Sequence, residues 1–242
     1  MNIYGDYHTH TIYSHGLGTI EDNVKAAIEI GLSEIAISDH GPGHMGFGIK
    51  RSKYQEMRDV IDELSVKYPN IKILLGLEAN ILDIEGNIDV DDHILELNDI
   101  LLAGYHFGSK PTKLFRDMHM HYLNYRSGKL KDLSKLREIN TVSIINAINK
   151  YKIDLITHPG AKGPVDITRI GEAAFKRGTA LEINSSHGYL SVEQLKVAMK
   201  VDGLEYMINS DAHKVDDIGN FKKAIERAEL VELDIKRIRN AK

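Results

Sequence analysis

Apolar residues recur along this chain in seven short runs, and between the runs the spacing shifts to every third or fourth position. The runs cover 3–7, 34–38, 71–77, 99–103, 153–157, 179–183 and 205–209. Several are rich in Ile and Leu without clean alternation, the pattern of strands covered on both faces. Helical spacing occupies 20–30, 52–68, 91–97, 136–149, 167–176, 192–201 and 218–232. Strands that alternate with helices predict a parallel sheet, and seven such units predict an α/β barrel. Two helices have legible starts. Thr19 with Asp22 and Ser191 with Gln194 stand three apart, the spacing of a capping box. Gly31 ends the first helix, and Met199 falls on the core-facing stripe of the helix at 192–201.

Two stretches break the rhythm. Residues 41–48 form a glycine-rich loop that lacks the lysine and hydroxyl ending of a nucleotide P-loop and the glycine spacing of a dinucleotide site. It is expected to be a mobile wall or lid, since glycine admits backbone shapes closed to other residues. Residues 107–135 are longer than a usual connection. They are read as an insertion, either a short helix over the rim or a lid, within a single catalytic domain spanning 1–242.

Histidines and acids stand at the ends of nearly every apolar run: His8 and His10, His40, Glu78, His106, His158, and Asp211 with His213. Core or surface histidines have no reason to recur there. In a barrel those ends converge on one rim, so scattered positions become one cluster. His8 and His10 are two apart, and Asp211 and His213 repeat that spacing, so each pair projects to one side if its segment is extended.

Composition narrows the chemistry. The 242 residues include no cysteine, so thiolate sites are excluded and any metal must use nitrogen and oxygen ligands. The net charge of -4 is without a basic block, so no nucleic-acid footprint is expected, although a metal-rich cavity can still attract an anion. No run approaches the roughly 20 apolar residues of a membrane span, and the first residues read as a strand rather than a signal segment. A cytoplasmic location is expected. With His15, nine candidate ligands are present, more than the about four to five that one zinc takes. Two or three divalent ions are therefore expected; the histidine excess points to zinc, manganese or iron, nitrogen and oxygen ligands do not choose among the three, and zinc is taken first.

The ordered motifs His8-Thr9-His10, His15, Asp39-His40-Gly41, Gly76-Leu77-Glu78-Ala79-Asn80, Ala103-Gly104-Tyr105-His106, Thr157-His158-Pro159-Gly160, Leu181-Glu182-Ile183-Asn184 and Ser210-Asp211-Ala212-His213 resemble those of the PHP (polymerase and histidinol phosphatase) family. Glu78-Ala79-Asn80-Ile81 and His158-Pro159-Gly160 look most like its small stand-alone YcdX-type phosphatases. The resemblance implies a distorted seven-stranded (β/α)7 TIM-like barrel with a trinuclear centre at the strand C-termini. It also implies three ligand sets: His8, His10, Glu78 and Asp211; Glu78 shared with His106 and His158; and His15, His40 and His213.

The expected activity is hydrolysis of phosphate monoesters of small organic molecules, with Glu78, His15 and Asp211 as the catalytic set. Adjacent ions lower the pKa of water and bind phosphoryl oxygens, and the hydroxide so generated attacks phosphorus in line. The alternatives are a phosphodiesterase acting on nucleotides or nucleic-acid ends, and a non-catalytic metal-binding domain. Arg51, Lys162 and His44 are the candidate phosphate contacts, with Lys50, Lys110, Lys113 and Arg116 also near expected loops. Asp39 either accepts a hydrogen bond from a ligand imidazole or closes a turn. His187 either approaches the cavity or sits in an exposed turn. His119 and His121 are candidate substrate contacts, and His93 reads as surface.

Overall fold

The computed structural model describes the backbone of residues 1–242 and the side chains of all but residues 114–116. All seven apolar runs form strands: β1 (Gly5–Asp6), β2 (Glu34–Ile37), β3 (Lys72–Asn80), β4 (Ile100–Gly104), β5 (Leu155–Ile156), β6 (Ala180–Asn184) and β7 (Tyr206–Asn209). They pair in sequence order, every neighbour parallel. A parallel bridge between Thr9 and Ala212 carries the last strand round to the first. Buried Asp6 reinforces that seam by accepting from the Ser210 backbone at 3.1 Å and from the Gly219 backbone at 3.0 Å. The result is the distorted, near-closed seven-stranded TIM-like barrel.

The two sides of each strand do different work. Ile35, Ile37, Leu75, Leu77, Leu101, Ala103, Leu181, Ile183 and Ile208 pack in the large core against the helices. Ala36, Leu102, Leu155, Ala180 and Met207, in register between them, form a small apolar plug inside the barrel. Above that plug the inward positions turn polar: Glu78 and Asn80 on β3, Glu182 and Asn184 on β6, and Asn209 on β7, all fully buried. Such groups are tolerated inside a barrel only with partners.

The helices are α1 (Ile20–Glu29), α2 (Tyr54–Lys67), α3 (Asp92–Leu97), α4 (Leu114–Tyr125), α5 (Ser134–Lys150), α6 (Ile167–Arg177), α7 (Val192–Ala198) and α8 (Lys222–Leu230). Both capping boxes form. Met199 packs against the core as expected. The final helix is shorter than the pattern predicts. Val215–Asp217 form a 3-10 turn, and Gly219 has φ +72°, so the helix starts only at Lys222. No helix among the described residues is long and apolar enough to cross a membrane.

Within 107–135, α4 packs on α5 through paired amides, Asn124 Nδ2 donating to Asn140 Oδ1 at 2.8 Å and Asn140 Nδ2 returning to Asn124 Oδ1 at 2.9 Å. His121 ties the helix down, its ring nitrogens 3.1 Å from the Tyr105 hydroxyl and 3.1 Å from the Leu82 carbonyl. That use of both nitrogens makes His121 an anchor. His119 and His93 are exposed.

Candidate metal centre

Glu78 occupies the middle of the upper barrel, with Asn80 beside it on the same face of β3. Imidazoles surround its buried carboxylate. Oε1 lies 3.3 Å from His8 Nε2, 3.1 Å from His106 Nε2 and 3.0 Å from His158 Nε2. Oε2 lies 2.9 Å from His40 Nδ1 and 3.7 Å from His10 Nε2. Asp211 closes another side, Oδ1 standing 3.5 Å from His8 Nε2 and 3.4 Å from His10 Nε2. The rings of His15 and His213 lie 4.2 Å apart and 5.5 and 4.3 Å from that of His10. All nine predicted ligand positions thus belong to one continuous cluster.

Its donor atoms fall into four overlapping groups, each with members within 4.8 Å of one another: His10, His15, His40 and His213; His8, His10 and Asp211; His8, Glu78 and His158; His40, Glu78 and His106. Two features go beyond the sequence reading. His10 reaches the group of His15, and His40 stands between that group and Glu78.

The donor set fits divalent cations. Six buried atoms of the cluster lack a hydrogen bond: His8 Nε2, both nitrogens of His10, His15 Nδ1, His40 Nδ1 and Glu78 Oε2. Each such group costs about 1–3 kcal/mol when left unpaired, so their convergence on one space calls for a cation. Protonation agrees. Burial holds His10 well below the ordinary histidine range, His15 down at about 4 and His106 at about 3. Burial opposes ionisation of Glu78, but His106, His8 and His40 outweigh it and hold its pKa well below the ordinary range. Asp211 is also held low, burial again being outweighed by His8 and His10. Neutral imidazoles and ionised carboxylates are the ligand states that metals require. His8 and His158 differ. Burial lowers both, yet Glu182, Glu78 and Asp211 around His8, and Glu78 around His158, raise them above 6.5.

That difference sets a pH dependence. A raised pKa means that the proton is still bound near neutrality and must leave when a cation replaces it. Affinity therefore rises with pH until the raised values are passed, whereas the already neutral His10, His15 and His106 add no slope. Zinc affinity, measured by competition with a chelator between pH 6.5 and 8, should rise about tenfold per pH unit for each proton released. A flat profile would contradict the assigned ligand states.

The surroundings aim the ligands. Glu182 accepts four hydrogen bonds: from His8 Nδ1 at 2.7 Å and Asn209 Nδ2 at 3.1 Å on one oxygen, and from the His158 backbone N–H at 2.7 Å and Asn184 Nδ2 at 3.0 Å on the other. Asn184 Nδ2 also reaches Asp211 Oδ2 at 3.0 Å. One buried carboxylate thereby steers three candidate ligands. Asn80 Oδ1 faces His106 Nδ1 at 2.9 Å, leaving Nε2 for the cluster.

Backbone strain marks the same places. His158 (φ +28°) and Asp211 (φ +56°) adopt left-handed conformations unfavourable to side-chain-bearing residues. The extended spacing expected for Asp211 and His213 is therefore not what aims them; a turn at Asp211 does, with His213 Nδ1 donating to the Asp211 carbonyl at 3.0 Å. Asp39 takes its turn-closing role, accepting from the Thr11 backbone at 2.8 Å, the Thr11 hydroxyl at 2.6 Å and the Ser14 hydroxyl, which shapes the loop that carries His15.

The centre opens into a cavity of about 470 Å³ whose walls include His44, Phe47, Phe107, Lys162 and His187. Lys162 and His44 therefore lie where phosphate contacts were expected. Arg51 does not; it sits on a 3-10 turn (Arg51–Lys53), is exposed and pairs with Asp91. Lys50, Lys110 and Lys113 are likewise exposed and off the cavity wall. The Arg116 side chain lies outside the described residues. His187 does approach the centre, with Nε2 3.3 Å from Asp211 Oδ2. Gly41 and Gly48 answer to close packing, since a Cβ at Gly41 would collide with the Asp89 carboxylate and one at Gly48 would stand 2.6 Å from the Gly41 carbonyl.

Sequence reasoning gave Asn80, Glu182, Asn184, Phe47 and Phe107 no role. For the first three a signal was present: acid and amide two apart within otherwise apolar strands, Glu78 with Asn80 and Glu182 with Asn184.

Comparison with known proteins agrees with this geometry. Residues 6–186 match the family model described as PHP domain. The chain is 32% identical over 252 residues to a "Probable phosphatase" of Shewanella piezotolerans, covering 99% of this chain and 90% of that protein. It is 36% identical over 233 residues to "Probable phosphatase TTE1963" of Caldanaerobacter subterraneus subsp. tengcongensis, covering 93% and 82%. Among solved structures, histidinol phosphate phosphatase of Lactococcus lactis, complexed with zinc, L-histidinol and phosphate, superposes with a TM-score of 0.62 at 16% identity, covering 95% of this chain and 92% of that one. The hisK structure from Listeria monocytogenes superposes with a TM-score of 0.66 at 18% identity, covering 89% and 97%. At those identities the structures speak for the fold.

Proposed function

This chain belongs to the PHP domain family, and from that premise we propose that it hydrolyses phosphate monoesters of small organic molecules. It is a metal-dependent phosphoesterase with a multinuclear centre. The observation that carries the monoester reading is the size and lining of the cavity: about 470 Å³, walled by Glu78, Asp211 and their imidazoles together with Lys162, which suits one small phosphorylated molecule. The relatives termed phosphatases support it, and the likeness of Glu78-Ala79-Asn80-Ile81 and His158-Pro159-Gly160 to the small stand-alone YcdX-type phosphatases supports the same reading. The whole of 1–242 is taken as one catalytic domain, with 107–135 as an insertion beside its mouth.

In this reading His8, His10, Glu78 and Asp211 hold one ion, Glu78 with His106 and His158 a second, and His15, His40 and His213 a third. Zinc suits the histidine-rich set. When bound, such ions supply Lewis acidity toward phosphoryl oxygens and lower the pKa of water. The chain's own part is positional. Glu78 draws two groups of imidazoles around one carboxylate, and Glu182 keeps the Nδ1 proton of His8 pointed away from the cluster. Lys162 lies on the wall where its ammonium orients the phosphate. Buried Glu78 and Asp211 are poor proton acceptors once ligating, so they hold geometry rather than carry protons.

The test is a matched panel on zinc-loaded enzyme. Alkyl phosphate monoesters should exceed the corresponding diesters in kcat/KM by about 10²-fold or more, since a second ester arm must share the same cavity of about 470 Å³ with the ligand side chains. Faster turnover of the diesters would replace this reading with a phosphodiesterase.

A further inference from the structure

Resting on the monoesterase reading, we infer that the alcohol half of the substrate is a flat, apolar group without positive charge. The cavity has two unlike zones. Its floor is imidazole and carboxylate, where the phosphate is drawn. Its mouth carries Phe47 and Phe107, which are 48% and 44% exposed and line the same cavity. Two half-exposed phenylalanines at one opening are a surface that gains by being covered.

Both rings are held in place. Phe47 stacks on His15, with centres 4.5 Å apart at 26°, and on His44, 5.1 Å at 26°. Phe107 stands edge-on to Tyr105 at 5.9 Å and 79°. Their loops are joined: the Met45 N–H donates to the Gly108 carbonyl and the Lys110 N–H to the Gly43 carbonyl, each at 2.9 Å. Gly108 makes the pairing possible, with φ +91° and a Cβ position that would fall 3.3 Å from the His44 ring. The aromatic surface is thus built before substrate arrives, and a planar leaving group meets rings that need not be reordered.

Charge decides against the alternative. Among the described residues that line the cavity, Glu78 and Asp211 are the carboxylates, and both are buried in the floor and enclosed by imidazoles. A leaving group with an ammonium would find no acid at the mouth and would meet Lys162. A polyol laid against the two phenyl faces would lose water there, where the rings offer no hydrogen-bond partner; the polar groups of the wall outside the centre are His44, Lys162, Ser186 and His187.

The experiment compares kcat/KM of the zinc-loaded full chain for benzyl phosphate, glycerol 1-phosphate and 2-aminoethyl phosphate. All three release a primary alcohol, so the leaving-group chemistry is closely matched. Benzyl phosphate should lead by about tenfold or more. Phe107→Ala should cut the benzyl value about fivefold more than the glycerol value. Phe47→Ala should do the same with an added loss on every substrate, because Phe47 also stacks on His15. Equal rates on the three esters, a lead for the aminoethyl ester, or an unchanged benzyl-to-glycerol ratio in Phe107→Ala would each overturn the inference while leaving the monoesterase reading intact. Hydrolysis of none of them, with diesters turned over, would remove both.

Discussion

Replacing Glu78 with glutamine lowers kcat/KM on phosphate monoesters by about 10³-fold or more, with the far-ultraviolet circular dichroism unchanged. The substitution preserves shape and removes charge. Five imidazole nitrogens lie within 3.7 Å of this carboxylate, so its negative charge is shared by more neighbours than any other in the centre. A neutral amide offers one oxygen where two were used and turns hydrogens toward nitrogens whose lone pairs are needed for metal. The fold survives because the backbone bonds at this position, Glu78 N to the Asp39 carbonyl and Gly41 N to the Glu78 carbonyl, do not involve the side chain. His158→Ala should fall less far, by about 10²-fold, because it removes one donor and leaves the shared carboxylate. Metal content by elemental analysis should drop in both variants. Activity within threefold of wild type in the Glu78 variant would end its role as the shared group.

The second large effect is expected away from the ligands. Glu182→Gln should weaken zinc binding by about 10–100-fold, the usual consequence of losing a partner that orients a ligand histidine. All four hydrogen bonds to this side chain come from donors: His8, Asn209, Asn184 and the His158 backbone. Glutamine puts an NH₂ against two of them. His8 is released from its Nδ1 contact, and the strained backbone at His158 loses the bond that holds it. Chelator competition measures the change directly, without reliance on turnover. If zinc affinity stayed within threefold of wild type, Glu182 would be a packing residue only.

Much of this architecture is legible in local pattern. Seven apolar runs became seven strands, and the polar residues that end them line one centre. The errors are informative. The third apolar run ends at 77, where polarity begins, yet β3 continues to Asn80 because Glu78 and Asn80 pair with Leu102 and Gly104 of β4 and point into a cavity that tolerates them. Glu182 and Asn184 look like interruptions of an apolar strand for the same reason. The helix α4 was one of two options, because what secures it is remote: Asn140, Tyr105 and Leu82 supply the partners. Arg51 shows the opposite failure. Proximity in sequence to the glycine-rich loop suggested the cavity, and the direction of one 3-10 turn sends the side chain to Asp91.

Local periodicity therefore determined which elements form and which chemical groups gather at their ends, because side-chain alternation and helix spacing depend only on near neighbours along the chain. Which donors share a cation site was decided by strand order, by the register of β3 against β4, and by turns at His158 and Asp211 that no spacing encodes. Residues such as His8, Glu78, His158 and Glu182 meet across separations of up to 174 positions, and only the closed parallel sheet sets those distances.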